Sequence, residues 1–172
     1  MKYEKWLYKF RLLHKKIKNT PIRVFFIGKG YKIYFTNIIT TMKHVACGIM
    51  FNEKNQILLG KRHSKGPYPN IWEFPGGKLE KGETLEECLQ REWIEELNLS
   101  ITIDAKLITF VSVTDKHHTC HFFIGRINDL HNLQMNVHEC VEFFYPSQMK
   151  ELQLFKGDEQ IVDILSATMP LS

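Results

Sequence analysis

Residues 77–99 read GKLEKGETLEECLQREWIEELNL, and most of this stretch carries a helical pattern. Thr84 is a residue type that caps helix N-termini, and Glu87, three positions later, can complete a capping box. The apolar positions recur at steps of three and four, as a buried helical stripe requires: Leu85, Cys88, Leu89, Trp93 and Leu97. The sequence therefore predicts a helix over residues 84–97 with one buried face.

Three glutamates share one face of this predicted helix. Glu92, Glu95 and Glu96 stand at positions i, i+3 and i+4, so their carboxylates are neighbours and repel one another. A hard divalent cation such as Mg²⁺ or Mn²⁺ removes that repulsion, because it binds carboxylate oxygens together with water and phosphate oxygens. Taken alone, such a cluster is more often a solvated helix face, and the surrounding residues must decide between the two interpretations.

The surrounding residues form a longer pattern that closely resembles the Nudix box. Its matching positions, with five and seven residues in the two gaps, are Gly77, Glu83, Arg91, Glu92, Glu95 and Glu96. The preceding segment, WEFPGGK at residues 72–78, is similar to the MutT-type branch of that family. The resemblance extends over about residues 43–166 and leaves out the N-terminal part of the chain.

Two positions depart from the family pattern. Asn98 stands where the box has its second glycine, and Asn is the next-best residue for the left-handed turn that ends a helix. Trp93 replaces the usual aliphatic residue and requires more room in the core. Neither departure touches a carboxylate, so we expect the function of the box to survive.

The resemblance implies an α/β fold, an α/β/α sandwich with a mixed β-sheet, over residues 42–172. It implies a metal-dependent hydrolase that converts a nucleoside triphosphate to the monophosphate and pyrophosphate. The MutT-like segment favours an oxidised purine such as 8-oxo-dGTP, and hence nucleotide-pool sanitation and mutation avoidance. The alternatives are another nucleotide (CTP, a dinucleoside polyphosphate or an mRNA cap) and a non-catalytic nucleotide-binding module, although such modules usually lack box glutamates.

Carried over residue by residue, the resemblance makes Glu92, Glu95 and Glu96 ligands of Mg²⁺, or of Mn²⁺, together with the backbone carbonyl of Gly77. Glu95 and Glu96 are the catalytic candidates within the helix. Which glutamate acts as the general base stays open.

Further acids complete the expected site. Glu83 would pair with Arg91 and hold the loop to the helix, which is a structural role. In MutT-like enzymes a carboxylate from a distant loop commonly joins the metal site or serves as base. Glu139, just before the apolar segment 141–145, is the candidate for both roles; Glu142 is second, and a plain strand-edge acid is the alternative.

Substrate contacts are expected outside the helix. Arg62, at the end of a predicted strand, and Lys78 would reach phosphate unless they are solvated charges. Asp158 resembles the family position that hydrogen-bonds the nucleobase, where a carboxylate suits a base edge with N–H groups; alternatively it is the N-cap of a last helix, 159–165. Phe74 offers a stacking surface, and core packing is its other interpretation.

Three segments around the helix predict strands. The apolar runs 44–51 and 56–62 are separated by a four-residue turn, which indicates a β-hairpin. Residues 119–124 alternate between apolar and polar as a strand does. These strands would supply the sheet on which the predicted helix packs.

Charge is divided unevenly along the 172 residues, whose net charge is +4. Residues 1–41 contain ten Lys or Arg and one Glu, a net +9, whereas the remainder has 13 bases and 18 acids, a net −5. We therefore interpret residues 1–41 as a basic N-terminal extension. Its apolar residues predict an amphipathic helix over 3–17 and two β-rich segments, 22–27 and 31–39, that can form a hairpin.

Several roles are open for this extension. Its helix can pack on the body, lie on an anionic membrane or serve in targeting, including to mitochondria, or contact RNA phosphates. Translation from Met42 would leave the extension out.

Location and partners are predicted from composition. Four scattered cysteines argue against a zinc ribbon or a disulfide framework, and no apolar run approaches the roughly 18 residues of a membrane span. We expect a cytoplasmic protein that binds a nucleotide, with a mitochondrial or membrane-associated location as the alternative. The sequence predicts no obligate protein partner.

Overall fold

The computed structural model of the protein describes residues 23–27, 30–34, 43–111 and 118–169. The helix predicted over residues 3–17 lies outside the described residues. The described elements, in chain order, are β1 (Arg23–Ile27), β2 (Gly30–Tyr34), β3 (Lys43–Phe51), β4 (Ile57–Arg62), β5 (Trp72–Glu73), β6 (Gly76–Lys78), α1 (Leu85–Leu97), β7 (Ile101–Val111), β8 (His118–Ile127), β9 (His138–Phe144), α2 (Pro146–Met149) and α3 (Asp158–Thr168).

The described strands form a mixed sheet in the order β2-β1-β7-β8-β3-β4-β5, with β6 paired to β3 and β9 to β4. β3 and β8 run parallel along their whole shared length, whereas β7 and β8 are antiparallel. β1 and β2 form an antiparallel hairpin that lies parallel to β7 at the pair Arg23–Thr109. The expected mixed sheet is confirmed.

Helices cover both faces of this sheet. Alternate side chains of β3 point to opposite faces and join a separate hydrophobic core on each. Cys47, Ile49 and Phe51 pack with residues of α2 and α3 on one face. Ala46 and Met50 pack with the buried stripe of α1 on the other face. The α/β/α sandwich expected from the sequence is therefore confirmed.

α1 begins and packs as its sequence predicts. The Thr84 side chain accepts a hydrogen bond from the Glu87 backbone N–H, and the Glu87 carboxylate accepts one from the Thr84 N–H at 2.7 Å, which is a complete capping box. Four residues of the predicted stripe are buried: Cys88, Leu89, Trp93 and Leu97. The helix therefore presents its opposite, polar face away from the core.

Gly48 provides the room that Trp93 requires. A Cβ at Gly48 would lie 2.6 Å from the indole Nε1 of Trp93, so only glycine lets the ring sit flush on β3. The Trp93 Nε1–H and the Gly48 N–H both donate to the Pro75 carbonyl oxygen, at 3.2 and 2.9 Å. This shared acceptor ties the middle of α1 to the loop between β5 and β6.

α1 ends at Asn98 in the left-handed conformation, with φ 53° and ψ 34°, as the sequence predicts. The backbone N–H of Asn98 donates to the Ile94 carbonyl at 2.9 Å, and that of Leu99 donates to the Trp93 carbonyl at 3.2 Å. The Asn98 side chain also donates to the Asn132 carbonyl at 3.0 Å. Asn98 therefore combines a helix end with a contact to the loop between β8 and β9.

Substitution of Asn98 separates these two contributions. Asn98→Ala is expected to lower the free energy of unfolding by about 1–2 kcal/mol, because a Cβ without a compensating side-chain hydrogen bond is strained in the left-handed region. Asn98→Gly is expected to lose less, since glycine adopts this conformation freely and only the bond to Asn132 disappears. Urea unfolding of both variants tests this ranking, and an equal loss in both would contradict it.

Two boundaries predicted from the sequence are wrong. α3 begins at Asp158 with Gly157 as its N-cap, so the N-cap interpretation of Asp158 fails. β9 begins at His138, so Glu139 lies within a strand and not in the loop before it. No helix in the described residues is long and apolar enough to cross a membrane.

Candidate active site

One guanidinium group, that of Arg91, organises the acidic face of α1. Its Nε and Nη2 donate to the two carboxylate oxygens of Glu83 at 3.0 and 2.9 Å, and Nη2 also donates to the Lys78 carbonyl at 3.1 Å. Its Nη1 donates to Glu92 Oε1 at 3.0 Å and to Glu95 Oε2 at 2.9 Å. The hydrogen bonds from Arg91 lower the pKa of Glu83 to about 2. The structure thus brings the loop of residues 78–83 and two helix glutamates together at a single side chain.

Gly77 lies directly against the carboxylate of Glu92. A Cβ at Gly77 would overlap that carboxylate, so any larger residue would push Glu92 out of place. The Gly77 carbonyl accepts a weak hydrogen bond from Cys88 Sγ at 3.6 Å. Burial raises the pKa of Glu92, although the neighbouring Arg91 opposes that rise. The two groups expected to share a cation are therefore adjacent.

Glu96 is the buried member of the helix triad. Its Oε2 atom is inaccessible to solvent and has no hydrogen-bond partner among the described residues, whereas the side chain of Glu95 is 58% exposed. Burial raises the pKa of Glu96 to about 7, and the nearby His138 acts against that rise. A buried carboxylate oxygen without a partner is unfavourable unless another group satisfies it.

The donor set fits a hard divalent cation. Carboxylate and carbonyl oxygens are the ligands that Mg²⁺ and Mn²⁺ prefer. The oxygen of Glu96 that has no partner among the described residues has lone pairs that such an ion would bind. No three His, Cys, Asp or Glu side chains within the described ranges already converge on one point. The Nη1 group of Arg91 lies between Glu92 and Glu95, and both carboxylates would have to turn from it to bind a cation.

Glu139 is not joined to the helix glutamates by any contact of the described residues. Its side chain is exposed on β9, and so is that of Glu142. The loop before β9 does reach α1: the Asn136 backbone N–H donates to the Glu96 carbonyl at 2.9 Å and its side chain to the Glu95 carbonyl at 2.7 Å. The start of β9 is therefore anchored to the end of α1, but through Asn136.

Two residues of this region were missed by sequence reasoning. His138, the residue before Glu139, is buried, and its Nε2 lies 3.4 Å from Glu73 Oε1. Glu73 in turn accepts two hydrogen bonds of 2.9 Å from Arg62 Nη1. The alternation of a strand beginning at 138 would have indicated that His138 points inward when Glu139 points outward.

The predicted phosphate contacts differ in their surroundings. Arg62 forms an ion pair with Glu73, and its Nε also donates to the Pro67 carbonyl at 3.0 Å. Lys78 is exposed at the end of β6, beside the loop that Arg91 holds. Arg62 is thus a held side chain, whereas Lys78 is open to solvent.

The structure brings Phe74 and Asp158 together on the face of the sheet that carries α3. The Phe74 backbone N–H donates to Asp158 Oδ2 at 3.1 Å, and Asp158 is 7% exposed. Burial raises the pKa of Asp158 well above its usual range. The Phe74 ring is also buried and packs edge-on against Phe122, with centroids 5.8 Å apart. Core packing is therefore a role that Phe74 already has.

Comparison with known proteins gives the following matches. A family model described as "NUDIX domain" matches residues 41–165. An 8-oxo-dGTP diphosphatase of Proteus vulgaris is 38% identical over 82 residues, which are 47% of this chain and 73% of that protein. Two other proteins of the same name are matched over less than half of their own length.

Two more likenesses bear on the substrate and on the fold. A CTP pyrophosphohydrolase of Escherichia coli (strain K12) is 27% identical over 117 residues, covering 67% of this chain and 84% of that protein. The solution structure of the E. coli ORF135 protein superimposes with a TM-score of 0.61 at 24% identity, covering 74% of this chain and 90% of that one. At that identity the likeness shows the fold alone.

Proposed function

Because the chain belongs to the Nudix hydrolase family, in its MutT-like branch, we propose that it hydrolyses a nucleoside triphosphate to the monophosphate and pyrophosphate with a divalent cation. The observation that carries the proposal is the triad on α1. There, next to the carboxylates of Glu92 and Glu95, a buried oxygen of Glu96 has no hydrogen-bond partner among the residues that the structure describes. A cation bound there would offset the charge of the triphosphate and lower the pKa of a water molecule. Mg²⁺ is the ion we propose, with Mn²⁺ as a substitute.

The chain's own residues supply position and proton transfer. Glu92, Glu95 and Glu96, with the Gly77 carbonyl, hold the cation, and Arg91 keeps the loop of Gly77 against α1 through Glu83. Glu95 and Glu96 stay the catalytic candidates within the helix. The part of Glu139 as a ligand or base also stays a prediction, since it requires β9 or the substrate to bring that exposed side chain inward.

For the substrate we propose an oxidised purine nucleoside triphosphate such as 8-oxo-dGTP. A relative bears that name, and the buried Asp158 beside Phe74 offers oxygen atoms to a base edge with N–H groups. Arg62 and Lys78 are proposed to contact phosphate. CTP is the second candidate, because a relative named CTP pyrophosphohydrolase aligns over more of this chain than the first relative does.

A nucleotide panel tests this proposal. Pyrophosphate release would be measured for 8-oxo-dGTP, dGTP, CTP and a dinucleoside polyphosphate, each with Mg²⁺, with Mn²⁺ and with a chelator. We expect release with either ion, none with the chelator, and kcat/KM for 8-oxo-dGTP at least about tenfold above dGTP, a difference of about 1.4 kcal/mol. Faster turnover of CTP would select the alternative substrate. Nucleotide binding without turnover of any compound would refute the enzymatic proposal.

Asp158→Asn tests the nucleobase contact and has a definite pH dependence. Burial raises the pKa of Asp158 in the folded state, so ionisation of this carboxyl group destabilises the fold. The free energy of unfolding therefore falls as pH rises from the pKa of the unfolded state towards that of the folded state. Asn has no such loss, so we expect the variant to gain free energy of unfolding relative to the wild type between pH 4 and pH 8. The 8-oxo-dGTP to CTP ratio of kcat/KM should also change, because an amide both donates and accepts hydrogen bonds. A ratio equal to that of the wild type would contradict the base contact.

The basic extension carries a separate proposal. We propose residues 42–172 as the hydrolase domain and residues 1–41 as an accessory segment that binds an anionic surface, RNA or membrane, in a cytoplasmic protein. Binding of the full chain to anionic vesicles and to RNA would be compared with a variant in which five lysines are changed to Gln: Lys2, Lys5, Lys9, Lys15 and Lys16. Equal binding by both proteins would refute a role of this charge.

A further inference from the structure

Two cysteines lie on neighbouring parallel strands and point to the same face of the sheet. In the register of β3 and β8, Cys47 is opposite Phe122, and Val45 is opposite Cys120. Alternate residues of a strand share a face, so Cys120 points the same way as Phe122. All four side chains belong to the hydrophobic cluster on the α3 side of the sheet. Cys120 is therefore a diagonal cross-strand neighbour of Cys47.

The two thiols of this pair differ in their access to solvent. Cys47 is 9% exposed and lies in the core, whereas Cys120 is partly exposed, and neither is in a disulfide. A hydrogen bond between the two side chains lowers the pKa of Cys120 and, together with burial, raises the pKa of Cys47 well above its usual range. Cys47 is therefore the S–H donor, and Cys120 is the sulfur that carries the charge when the pair loses a proton.

The other two cysteines of the chain lie in different surroundings. Cys88 is buried in α1, and burial raises its pKa to about 12. Cys140 is partly exposed, as Cys120 is, but it lies on β9 opposite Lys61 of β4, and burial raises its pKa. A reactive cysteine needs both access to solvent and a stabilised thiolate. Of the four cysteines, all of which the structure describes, Cys120 alone combines the two.

Cys120 shares its face of the sheet with the residues proposed to receive the nucleobase. Phe122, two positions along β8 on that face, packs edge-on against Phe74 with ring centroids 5.8 Å apart. The backbone N–H of Phe74 donates in turn to the carboxyl group of Asp158 at 3.1 Å. An oxygen atom added to the sulfur of Cys120 would therefore place a polar group on the face that carries this pocket.

We propose that Cys120 is a peroxide-sensitive thiol beside the nucleobase pocket, with Cys47 as the hydrogen-bond donor that activates it. The oxidant is hydrogen peroxide. The Cys120 thiolate attacks one peroxide oxygen, so that an S–O bond forms and the O–O bond breaks. The sulfur is oxidised to a sulfenic acid, and the peroxide is reduced to hydroxide, which takes up the proton lost by the thiol and leaves as water. The sulfenic acid then persists, or it condenses with the Cys47 thiol to a disulfide and a second water molecule.

Mass-spectrometric mapping of the full chain after treatment with hydrogen peroxide and dimedone, which traps sulfenic acids, tests this inference. We expect a dimedone adduct on Cys120 or a disulfide from Cys120 to Cys47, with Cys88 and Cys140 unmodified. Without peroxide, iodoacetamide should alkylate Cys120 at least about tenfold faster than Cys140 at neutral pH, because the rate follows the fraction of thiolate. Cys140 is the matched control, since it is also partly exposed.

Variants at Cys47 test its part as the donor. Cys47→Ala should slow alkylation of Cys120 at least about threefold, because the thiolate loses a hydrogen bond, and Cys47→Ser should restore the rate, because a hydroxyl group also donates. Equal rates in the wild type and Cys47→Ala would overturn the role of Cys47. Modification of Cys140 before Cys120, or no adduct and no disulfide at Cys120, would overturn the inference.

None of these measurements requires turnover, so their failure leaves the proposed function standing. The link to the pocket rests on that function. Peroxide should raise KM for the nucleotide in the wild type but not in Cys120→Ser, and dithiothreitol should reverse the change. An unchanged KM in wild-type protein whose Cys120 is shown to be oxidised would overturn this link.

Discussion

Glu96→Gln is expected to abolish most turnover while leaving the protein folded. The amide retains the shape of the side chain but removes its charge, so a cation loses a ligand that contributes several kcal/mol to charge stabilisation in the transition state. At 1.36 kcal/mol per factor of ten, kcat should fall by about 1,000-fold or more. Steady-state pyrophosphate release at saturating Mg²⁺ and nucleotide measures this loss.

Stability should move in the opposite direction to activity in this variant. Because burial raises the pKa of Glu96 to about 7, the wild-type carboxylate destabilises the fold progressively as pH rises from the unfolded pKa through that value. Without metal at pH 8, Glu96→Gln should therefore unfold at the same temperature as the wild type or higher. Glu86→Gln, at an exposed position in the first turn of α1, is the control and should keep its activity. Full turnover in Glu96→Gln would remove Glu96 from the metal site.

The second large effect concerns the contact between Gly48 and Trp93. Gly48→Ala is expected to lower the free energy of unfolding by about 1–3 kcal/mol, because the new methyl group meets the buried indole ring. In a Trp93→Leu background the same change should be much less destabilising, since the smaller side chain vacates that space. The coupling between the two positions should be about 0.5–3 kcal/mol.

A double-mutant cycle measured by urea unfolding tests this contact with four proteins. Trp93→Leu alone should also be destabilising, because it leaves a cavity and removes one of the two donors to the Pro75 carbonyl. Strictly additive losses in the double variant would show that Gly48 is needed for another reason. Alanine keeps the backbone N–H that donates to Pro75, so that hydrogen bond is present in all four proteins.

The sequence predicts the elements whose determinants are local. The span of α1, its capping box and its left-handed end at Asn98 all depend on residues within a few positions of each other, and each is confirmed. β9 begins three residues before the predicted apolar strand, because pairing of His138 and Cys140 with β4 extends the ladder through residues that carry no apolar pattern. The start of α3 differs for a similar reason: Gly157, at φ 117°, takes the capping position, and the Asp158 side chain bonds to Phe74 instead.

The same distinction applies to the candidate site. The glutamates of α1 share a face because helical geometry puts them there, and Arg91 reaches them from the same helix. The contacts of Glu73 with His138, and of Phe74 with Asp158, join residues that are distant in sequence, so no local spacing indicates them. The family resemblance predicts a role for Glu139. The side-chain directions along β9 show that Glu139 is exposed and that its neighbour His138 points inward.

The hairpin of β1 and β2 has a consequence for the behaviour of the protein at high concentration. β7 is an eleven-residue strand, and a strand of that length at the boundary of a sheet offers unpaired backbone groups to other chains, which promotes aggregation. β1 lies beside β7, and the outermost strand of the sheet is then β2, with five residues. Short edge strands are poor templates for such pairing. β1 pairs with β7 only at Arg23–Thr109, so the hairpin covers β7 near its C-terminal end and presents a short strand at that edge.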